Sequence, residues 1–169
     1  DIRIGLIGTG GMGKAHATAF KNVPLVFGDE PGRPVLEMVA DIDAKALEKW
    51  ADKFGFSRWT INWHEIVEDP RVDVVDITTP NTLHAEMVIA AAQAGKHIYC
   101  EKPLATTSMD AARIVAAVEN SGVISIVGFN YLKNPAQAFA KQLIESGELG
   151  EITLFRGIFD QDFLANPDV

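Results

Sequence analysis

The feature that most constrains the fold is a short apolar segment that runs directly into a glycine-rich turn near the N-terminus. Residues 2–7 have the composition of a strand covered on both faces, and Gly8, Gly10 and Gly13 follow at the spacing G-x-G-x-x-G. In a dinucleotide-binding fold these glycines allow the tight turn, the close approach of a pyrophosphate and the packing of the next helix. The spacing alone fits a nucleotide site and an ordinary turn equally well. The choice between these two interpretations depends on the pattern of the remaining chain.

The rest of the chain alternates between strand-like and helix-like segments. Further strands are predicted at 35–42, 59–61, 72–78, 97–100 and 124–128. Helices are predicted at 14–22, 44–54, 82–94 and 108–120, with a long loop at 24–34. A brief helix is predicted to start at residues 62–65 and to stop at 69–70. Because right-handed crossovers place helices on both faces of a sheet, this order predicts an α/β fold with a doubly wound parallel sheet. We expect this Rossmann dinucleotide-binding domain to occupy residues 1–130.

The pattern changes after residue 130. A helix is predicted at 136–146, a turn at 147–150 and a strand at 151–159 that has no partner strand in the chain. Because an isolated strand is unstable, we expect residues 131–169 to be the first helix and strand of a second, truncated α+β domain.

Composition limits the partners and the compartment. The net charge of −8 and the lack of a basic cluster argue against nucleic acid, and no apolar run approaches the roughly 18 residues that span a bilayer. The single cysteine, Cys100, cannot form an internal disulfide. We therefore expect a cytoplasmic protein that binds neither nucleic acid nor membrane.

Asp41 ends the second predicted strand, about 28 residues beyond Gly13. A dinucleotide-binding fold places there the carboxylate that accepts hydrogen bonds from the adenosine ribose. A carboxylate at this point repels the 2′-phosphate of NADP, and no arginine follows to reverse that preference, so NAD is favoured. The alternative is a strand-end or capping aspartate, although Asp43 is better placed as the helix cap.

The histidines are assigned by position. His84 lies in the first turn of a helix, just after a polar turn at residues 78–81 that leaves the carboxyl end of the fourth strand. We assign His84 to the wall of the site, place His16 and His64 on the surface, and treat His97 as structural. Since four histidines and one cysteine show no metal-ligand spacing, no metal is expected.

Glu101-Lys102-Pro103 is the most specific motif in the chain. With it, the chain resembles the family of glucose-fructose oxidoreductase, inositol dehydrogenase and rhizopine-catabolism proteins, written Gfo/Idh/MocA. The resemblance covers essentially all 169 residues, and its matching stretches are 5–13, 40–41, 75–81 with His84, 94–97, 101–103, and 128–131 with Pro135.

The resemblance implies hydride transfer between the nicotinamide of NAD and a hydroxyl of a sugar, inositol or related polyol. It places Lys102 beside the nicotinamide as the catalytic group, because a lysine there can hydrogen-bond the reacting oxygen and carry its proton. It also implies that residues 131–169 are the start of a largely β C-terminal substrate domain, through which a homo-oligomer is expected to form. Activity is then expected only when the rest of that domain is present. The residues expected to bind the cofactor are Gly8, Thr9, Gly10, Gly11, Met12, Gly13, Asp41, Thr78, Thr79, Pro80, Asn81, His84, Glu101, Lys102 and Asn130.

The chain departs from the family pattern at Leu132, where many members have an arginine, and residues 160–167 match the start of the substrate domain only loosely. Three functions fit these observations. The first is an NAD-dependent dehydrogenase, the second a glycoside-cleaving enzyme that uses NAD on the same scaffold, and the third a non-catalytic NAD-binding regulator. Net NADH formation distinguishes the first from the second, and the presence of Lys102 argues against the third.

Overall fold

The computed structural model describes residues 1–28, 30 and 32–160. Its six strands are β1 (Ile2–Ile7), β2 (Pro34–Ala40), β3 (Arg58–Thr60), β4 (Val74–Ile77), β5 (His97–Cys100) and β6 (Ser125–Val127). Its helices are α1 (Gly11–Phe27), α2 (Ala44–Phe54), α3 (His64–Glu68), α4 (His84–Gln93), α5 (Ser108–Ser121) and α6 (Pro135–Glu145). Short 3-10 turns cover Asn81–Leu83 and Asn130–Lys133.

All neighbouring strands are parallel, in the order β3-β2-β1-β4-β5-β6. The chain builds the sheet outward from β1 to β3, then crosses to the other side of β1 and continues outward from β4 to β6. The connections that leave the carboxyl ends of β1 and β4 therefore run in opposite directions at the point where the strand order reverses. Open α/β sheets bind ligands at this point. The predicted α/β doubly wound fold is confirmed.

The two faces of the sheet carry separate cores. Ile4 and Leu6 of β1 pack in a cluster with residues of α1 and α2, whereas Ile7 packs on the opposite face with residues of α3, α4 and α5. Gly5 shares the face of Ile7, and a Cβ there would overlap the Ile66 side chain of α3. The alternation along β1 thus lets both faces be covered, as a buried parallel strand requires.

Side-chain caps start two of the helices, and the cap at Asp43 confirms the prediction. The Asp43 side chain accepts the Lys45 N–H at 3.1 Å at the start of α2. Thr107 Oγ1 accepts the Asp110 N–H at 3.1 Å and donates to Asp110 Oδ2 at 2.8 Å at the start of α5. These bonds satisfy backbone donors that have no partner inside the helix, so they fix where α2 and α5 begin.

Helix α1 is longer than predicted. The sequence predicts a helix at 14–22 and a loop at 24–34, but α1 runs to Phe27 and contains Pro24. A proline removes one backbone donor but has a φ value compatible with a helix, and the Gly28 N–H donates to the Pro24 carbonyl at 3.1 Å in the last turn. Pro24 is therefore accommodated near the end of α1, and the connection to β2 is shorter than predicted.

The chain divides into two compact units, Asp1–Phe129 and Asn130–Val169. In the second unit, Asn134 Oδ1 accepts the Ala136 N–H at 2.9 Å and caps α6. The strand predicted at 151–159 is not formed, because no described segment offers it a ladder partner. The loose match to the family at residues 160–167 lies outside the described residues after Asp160. Within the described residues, no helix combines the length and apolar character needed to cross a membrane.

Candidate functional site

A cavity of about 500 Å³ opens at the carboxyl ends of β1, β2 and β4. It brings together predicted residues from three separate segments, namely Gly8, Thr9, Gly10, Gly11, Met12, Asp41, Thr78, Thr79 and Pro80. Its remaining wall is mainly apolar and was not predicted from the sequence: Ile7, Ala40, Ile42, Ile61, Trp63, Leu83 and Met87. The signal in the sequence that could have indicated this apolar wall is Ile42, an apolar residue directly after Asp41, and the structure shows that its side chain is exposed.

The glycine turn is rigid on the side of the sheet. Gly8 has a φ of +104°, which favours glycine, and Thr78 Oγ1 donates to its carbonyl at 2.8 Å. A Cβ on Gly13 would overlap that same Gly8 carbonyl oxygen, so only glycine lets α1 lie this close to β1. The turn is thus fixed by β4 on one side and by α1 on the other.

The same turn is open on the side of the cavity. Apart from the adjacent backbone, a Cβ on Gly10 or Gly11 would have no atom within 4 Å. Gly10 is the N-cap of α1, has no side chain to cap the helix, and accepts the Lys14 N–H at 3.1 Å. The first-turn N–H groups therefore have no partner from a side-chain cap, and α1 has no acidic residue in that turn to repel an anion. Space, free donors and the helix dipole all fit the pyrophosphate of a dinucleotide.

Asp41 lies at the edge of the cavity and is tied to the glycine turn. Its Oδ2 accepts the Thr9 N–H at 2.7 Å and the Thr9 hydroxyl at 2.6 Å, and its Oδ1 accepts the Asp43 N–H at 3.2 Å. Burial by itself would raise the pKa of Asp41, but the hydrogen bonds from Thr9 and the backbone outweigh it and lower the pKa below its usual range. The carboxylate is therefore ionised at neutral pH.

His84 does not line the cavity, and its predicted place in the site wall is wrong. Its side chain is completely buried, with Nδ1 2.9 Å from the Pro103 carbonyl oxygen and Nε2 3.0 Å from the Thr79 carbonyl oxygen. The buried ring therefore connects the turn after β4 to the turn after β5 through these two contacts. Asn81, at the start of the short 3-10 turn before α4, is exposed.

Glu101 and Lys102 lie at the same edge of the sheet, directly after β5, but are not among the residues that line the cavity. Glu101 is buried, and its Oε2 accepts the Lys102 N–H at 2.9 Å. The Lys102 side chain is exposed. The buried carboxylate thus fixes the backbone from which an exposed ammonium group extends.

His16 is buried, so its predicted surface position is wrong. Its Nδ1 lies 3.0 Å from both carboxylate oxygens of Asp76, and its Nε2 lies 3.1 Å from Glu101 Oε1. The ring also stacks on Tyr99, with centroids 5.0 Å apart. We call His16, Asp76 and Glu101 the histidine–carboxylate cluster. The signal that could have revealed it is Asp76 itself, because a charged residue inside an apolar strand needs a buried partner.

The cluster holds a proton tightly. Burial by itself lowers the pKa of His16, but the hydrogen bonds and charges of Asp76 and Glu101 outweigh it and raise the pKa above its usual value. Burial raises the pKa of Asp76, and His16 only partly opposes that effect. Burial, together with the charges of Asp76 and Glu101, also raises the pKa of Cys100 to about 12, so this thiol is not a nucleophile at neutral pH.

Asn130 opens the 3-10 turn of the second unit and is exposed there. Its expected contact with the cofactor stays a prediction. Among the described residues, no group of three or more histidine, cysteine, aspartate or glutamate side chains has the geometry to hold a metal ion.

The strand order, the open glycine turn and the ionised carboxylate after β2 together define a dinucleotide-binding Rossmann domain. Residues 2–129 match the family model GFO_IDH_MocA, described as an oxidoreductase family with an NAD-binding Rossmann fold. The chain belongs to this family, which confirms the resemblance carried by its motifs, and its cofactor is NAD.

Levoglucosan dehydrogenase from Pseudarthrobacter phenanthrenivorans is 45% identical over 168 residues, which are 99% of this chain and 43% of that protein. The scyllo-inositol 2-dehydrogenase (NAD(+)) of Bacillus subtilis is 34% identical over 167 residues, 99% of this chain and 46% of that protein. A solved structure of levoglucosan dehydrogenase with NADH and levoglucosan superposes with a TM-score of 0.86 at 46% identity, covering 89% of this chain and 41% of that one. The chain therefore spans less than half the length of these relatives.

Proposed function

We propose that the chain is the NAD-binding part of a dehydrogenase that transfers a hydride between nicotinamide and a hydroxyl of a sugar, inositol or related polyol. The observation that carries this proposal is the Glu101–Lys102 pair, which holds an exposed ammonium group at the same sheet edge as the dinucleotide cavity. The relatives named above are dehydrogenases of levoglucosan and of inositol, which supports this function over glycoside cleavage or regulation.

The residues divide the work as follows. The free N–H groups after Gly10 would hold the pyrophosphate, and the Asp41 carboxylate would accept the hydroxyls of the adenosine ribose. When bound, NAD supplies the acceptor for the hydride that leaves the substrate carbon. Lys102 would hydrogen-bond the substrate oxygen and help to carry the proton that leaves it.

We propose that NAD is preferred over NADP because Asp41 is ionised at the cavity edge, where it would repel a 2′-phosphate. Asp41→Ala should weaken NAD binding about ten- to a hundredfold, since hydrogen bonds to a charged group contribute about 1.5–3 kcal/mol, and should narrow the gap to NADP. Calorimetric titration with each cofactor measures both effects.

The matched control is Asp43→Ala, which removes the cap of α2 but keeps the Asp41 carboxylate. This control should cost about 1 kcal/mol of folding stability and leave the ratio of NAD to NADP affinity unchanged. An Asp41→Ala variant with the NAD to NADP ratio of the unmodified protein would contradict the assignment.

We further propose that catalysis needs a C-terminal substrate domain in addition to the NAD-binding domain described above. The test is a screen of the full-length protein and of the 169-residue chain against levoglucosan, inositols and simple glycosides, with NADH formation and glycoside cleavage measured in parallel. NADH formation from a free polyol by the full-length protein alone supports the proposal. NADH formation by the 169-residue chain would contradict the need for a substrate domain, and glycoside cleavage without net NADH would contradict the proposed dehydrogenase.

Three further proposals rest on the sequence: a domain boundary near residue 130, a cytoplasmic location and a homo-oligomer formed through the C-terminal sheet. Light scattering on the full-length protein and on residues 1–130 tests the boundary and the oligomer together. We expect the shorter protein to be monomeric and to keep NAD binding. A full-length monomer would contradict the proposed oligomer, and loss of NAD binding by the shorter protein would contradict the boundary.

A further inference from the structure

The turn that carries Lys102 is anchored on a buried histidine that the proposed function does not use. His16 belongs to α1, more than 80 residues away in sequence, yet its Nε2 lies 3.1 Å from Glu101 Oε1. The other oxygen of the same carboxylate accepts the Lys102 N–H at 2.9 Å. One carboxylate therefore connects the imidazole of His16 to the backbone of Lys102.

With both carboxylates ionised, the arrangement around His16 favours a charged ring. Ionised carboxylates only accept hydrogen bonds, and both ring nitrogens face one: Nδ1 faces Asp76 and Nε2 faces Glu101. Both nitrogens can donate at once only when the ring is an imidazolium. Asp76 is completely buried, so removal of the positive charge would leave a carboxylate without a counterion in the sheet interior.

The Glu101 carboxylate has little freedom to move. Gly128 packs against it so closely that a Cβ there would lie 2.9 Å from Oε1. Rotation of the carboxylate away from His16 would also move Oε2 away from the Lys102 N–H. The bond to His16 and the bond to Lys102 are therefore made or lost together.

We propose that His16 is a positioning residue for Lys102: its imidazolium fixes the Glu101 carboxylate, which in turn fixes the Lys102 backbone at the sheet edge. We call this link from His16 through Glu101 to the Lys102 backbone the anchor. The anchor lies entirely within this chain, and its importance for turnover rests on the proposed function of Lys102.

The anchor is pH-dependent. The titratable groups that face His16 are Asp76 from β4 and Tyr99 and Glu101 from β5. Because the pKa of His16 is raised above its ordinary value of 6.5, the stabilisation is fully present below 6.5 and is lost as the pH rises through the pKa of the folded state. The Lys102 backbone should loosen on the alkaline side.

The experiment measures amide hydrogen exchange at Lys102 in the 169-residue chain by NMR, together with titration of the His16 ring, from about pH 5 to 9. In the unmodified chain, the exchange protection of Lys102 should fall as His16 loses its proton. In His16→Gln, protection at acid pH should be lower by about tenfold, the equivalent of one lost hydrogen bond, and the difference from the unmodified chain should disappear as His16 of that chain loses its proton. Asp76→Asn removes one negative charge but keeps His16. In this variant the protection of Lys102 should match that in the unmodified chain at acid pH, and it should be lost at a lower pH than in the unmodified chain.

His97→Gln is the matched control, because His97 is an exposed histidine of β5 whose Nδ1 accepts the Ile124 N–H at 3.1 Å. It should leave the exchange of Lys102 unchanged. A purely structural role for His16 would lower the melting temperature of both cluster variants but would not give them different pH dependence.

At acid pH, exchange of Lys102 in His16→Gln within about twofold of that in the unmodified chain would overturn the proposal, and so would a His16 ring that titrates at or below 6.5. If His16→Gln fails to fold, the exchange of Lys102 in Asp76→Asn and the titration of His16 in the unmodified chain still test the proposal. Since exchange is measured without cofactor or substrate, a working anchor in a protein without dehydrogenase activity would refute only the proposed function. Normal activity with unaltered exchange in His16→Gln would refute only the anchor.

Discussion

Lys102→Met in the full-length protein is expected to lower turnover about 10²- to 10⁴-fold, the usual contribution of a positioned proton-transfer group, and to leave NAD affinity within a few fold. The side chain is exposed, and the backbone N–H is held by Glu101, so methionine can replace the lysine without disturbing the turn. Steady-state kinetics and NAD titration measure the two quantities separately.

Lys49→Met is the control for Lys102→Met, because Lys49 is an exposed lysine on α2, away from the carboxyl end of β5. It should leave both turnover and NAD affinity unchanged. Turnover of Lys102→Met close to that of the unmodified enzyme would exclude a catalytic role for Lys102.

Gly13→Ala is expected to destabilise the fold by about 1–3 kcal/mol and to weaken NAD binding, because the new methyl group would overlap the Gly8 carbonyl oxygen. Relief of this overlap requires movement of backbone, so α1 must shift away from β1. The better helix propensity of alanine, about 1 kcal/mol, opposes this cost only in part. Thermal unfolding and NAD titration measure the two effects.

Gly10→Ala separates cofactor binding from folding. The added methyl group would meet no protein atom within 4 Å and would lie where the pyrophosphate is expected, and the φ of −63° suits alanine. This variant should lose affinity for NAD with a stability change of about 1 kcal/mol or less, since alanine is a poorer N-cap than glycine. Normal NAD binding by Gly10→Ala would contradict the placement of the phosphates, and an unfolding temperature of Gly13→Ala no lower than that of Gly10→Ala would contradict the packing argument.

The sheet and the main part of the cavity could be predicted from the sequence because their signals are local. Apolar runs, capping residues and glycine spacing act over a few residues, and the carboxyl ends of parallel strands necessarily meet at one edge. Asp41 and the turn at 78–81 were placed at that edge by this reasoning alone. The structure gathers Asp41 and three residues of that turn around one cavity.

The two buried histidines could not be placed in the same way. His16 contacts residues 60 and 85 positions away, and His84 contacts a carbonyl 19 positions away, so nothing in the neighbouring residues shows whether the ring is buried. The extent of α1 was not predicted for a different reason. Pro24 was interpreted as the end of the helix, but it lies in the last turns of α1, where it costs only one backbone hydrogen bond. The predicted strand at 151–159 depends on a partner strand that no described segment supplies.

The most direct test of the account is a calorimetric titration of the unmodified chain with NAD and, in parallel, with NADP. The free N–H groups at the start of α1 and the ionised Asp41 at the cavity edge predict that NAD binds measurably and at least about tenfold more tightly than NADP. Equal affinity for the two cofactors, or tighter binding of NADP, would contradict the assignment of Asp41 and with it the proposed preference for NAD.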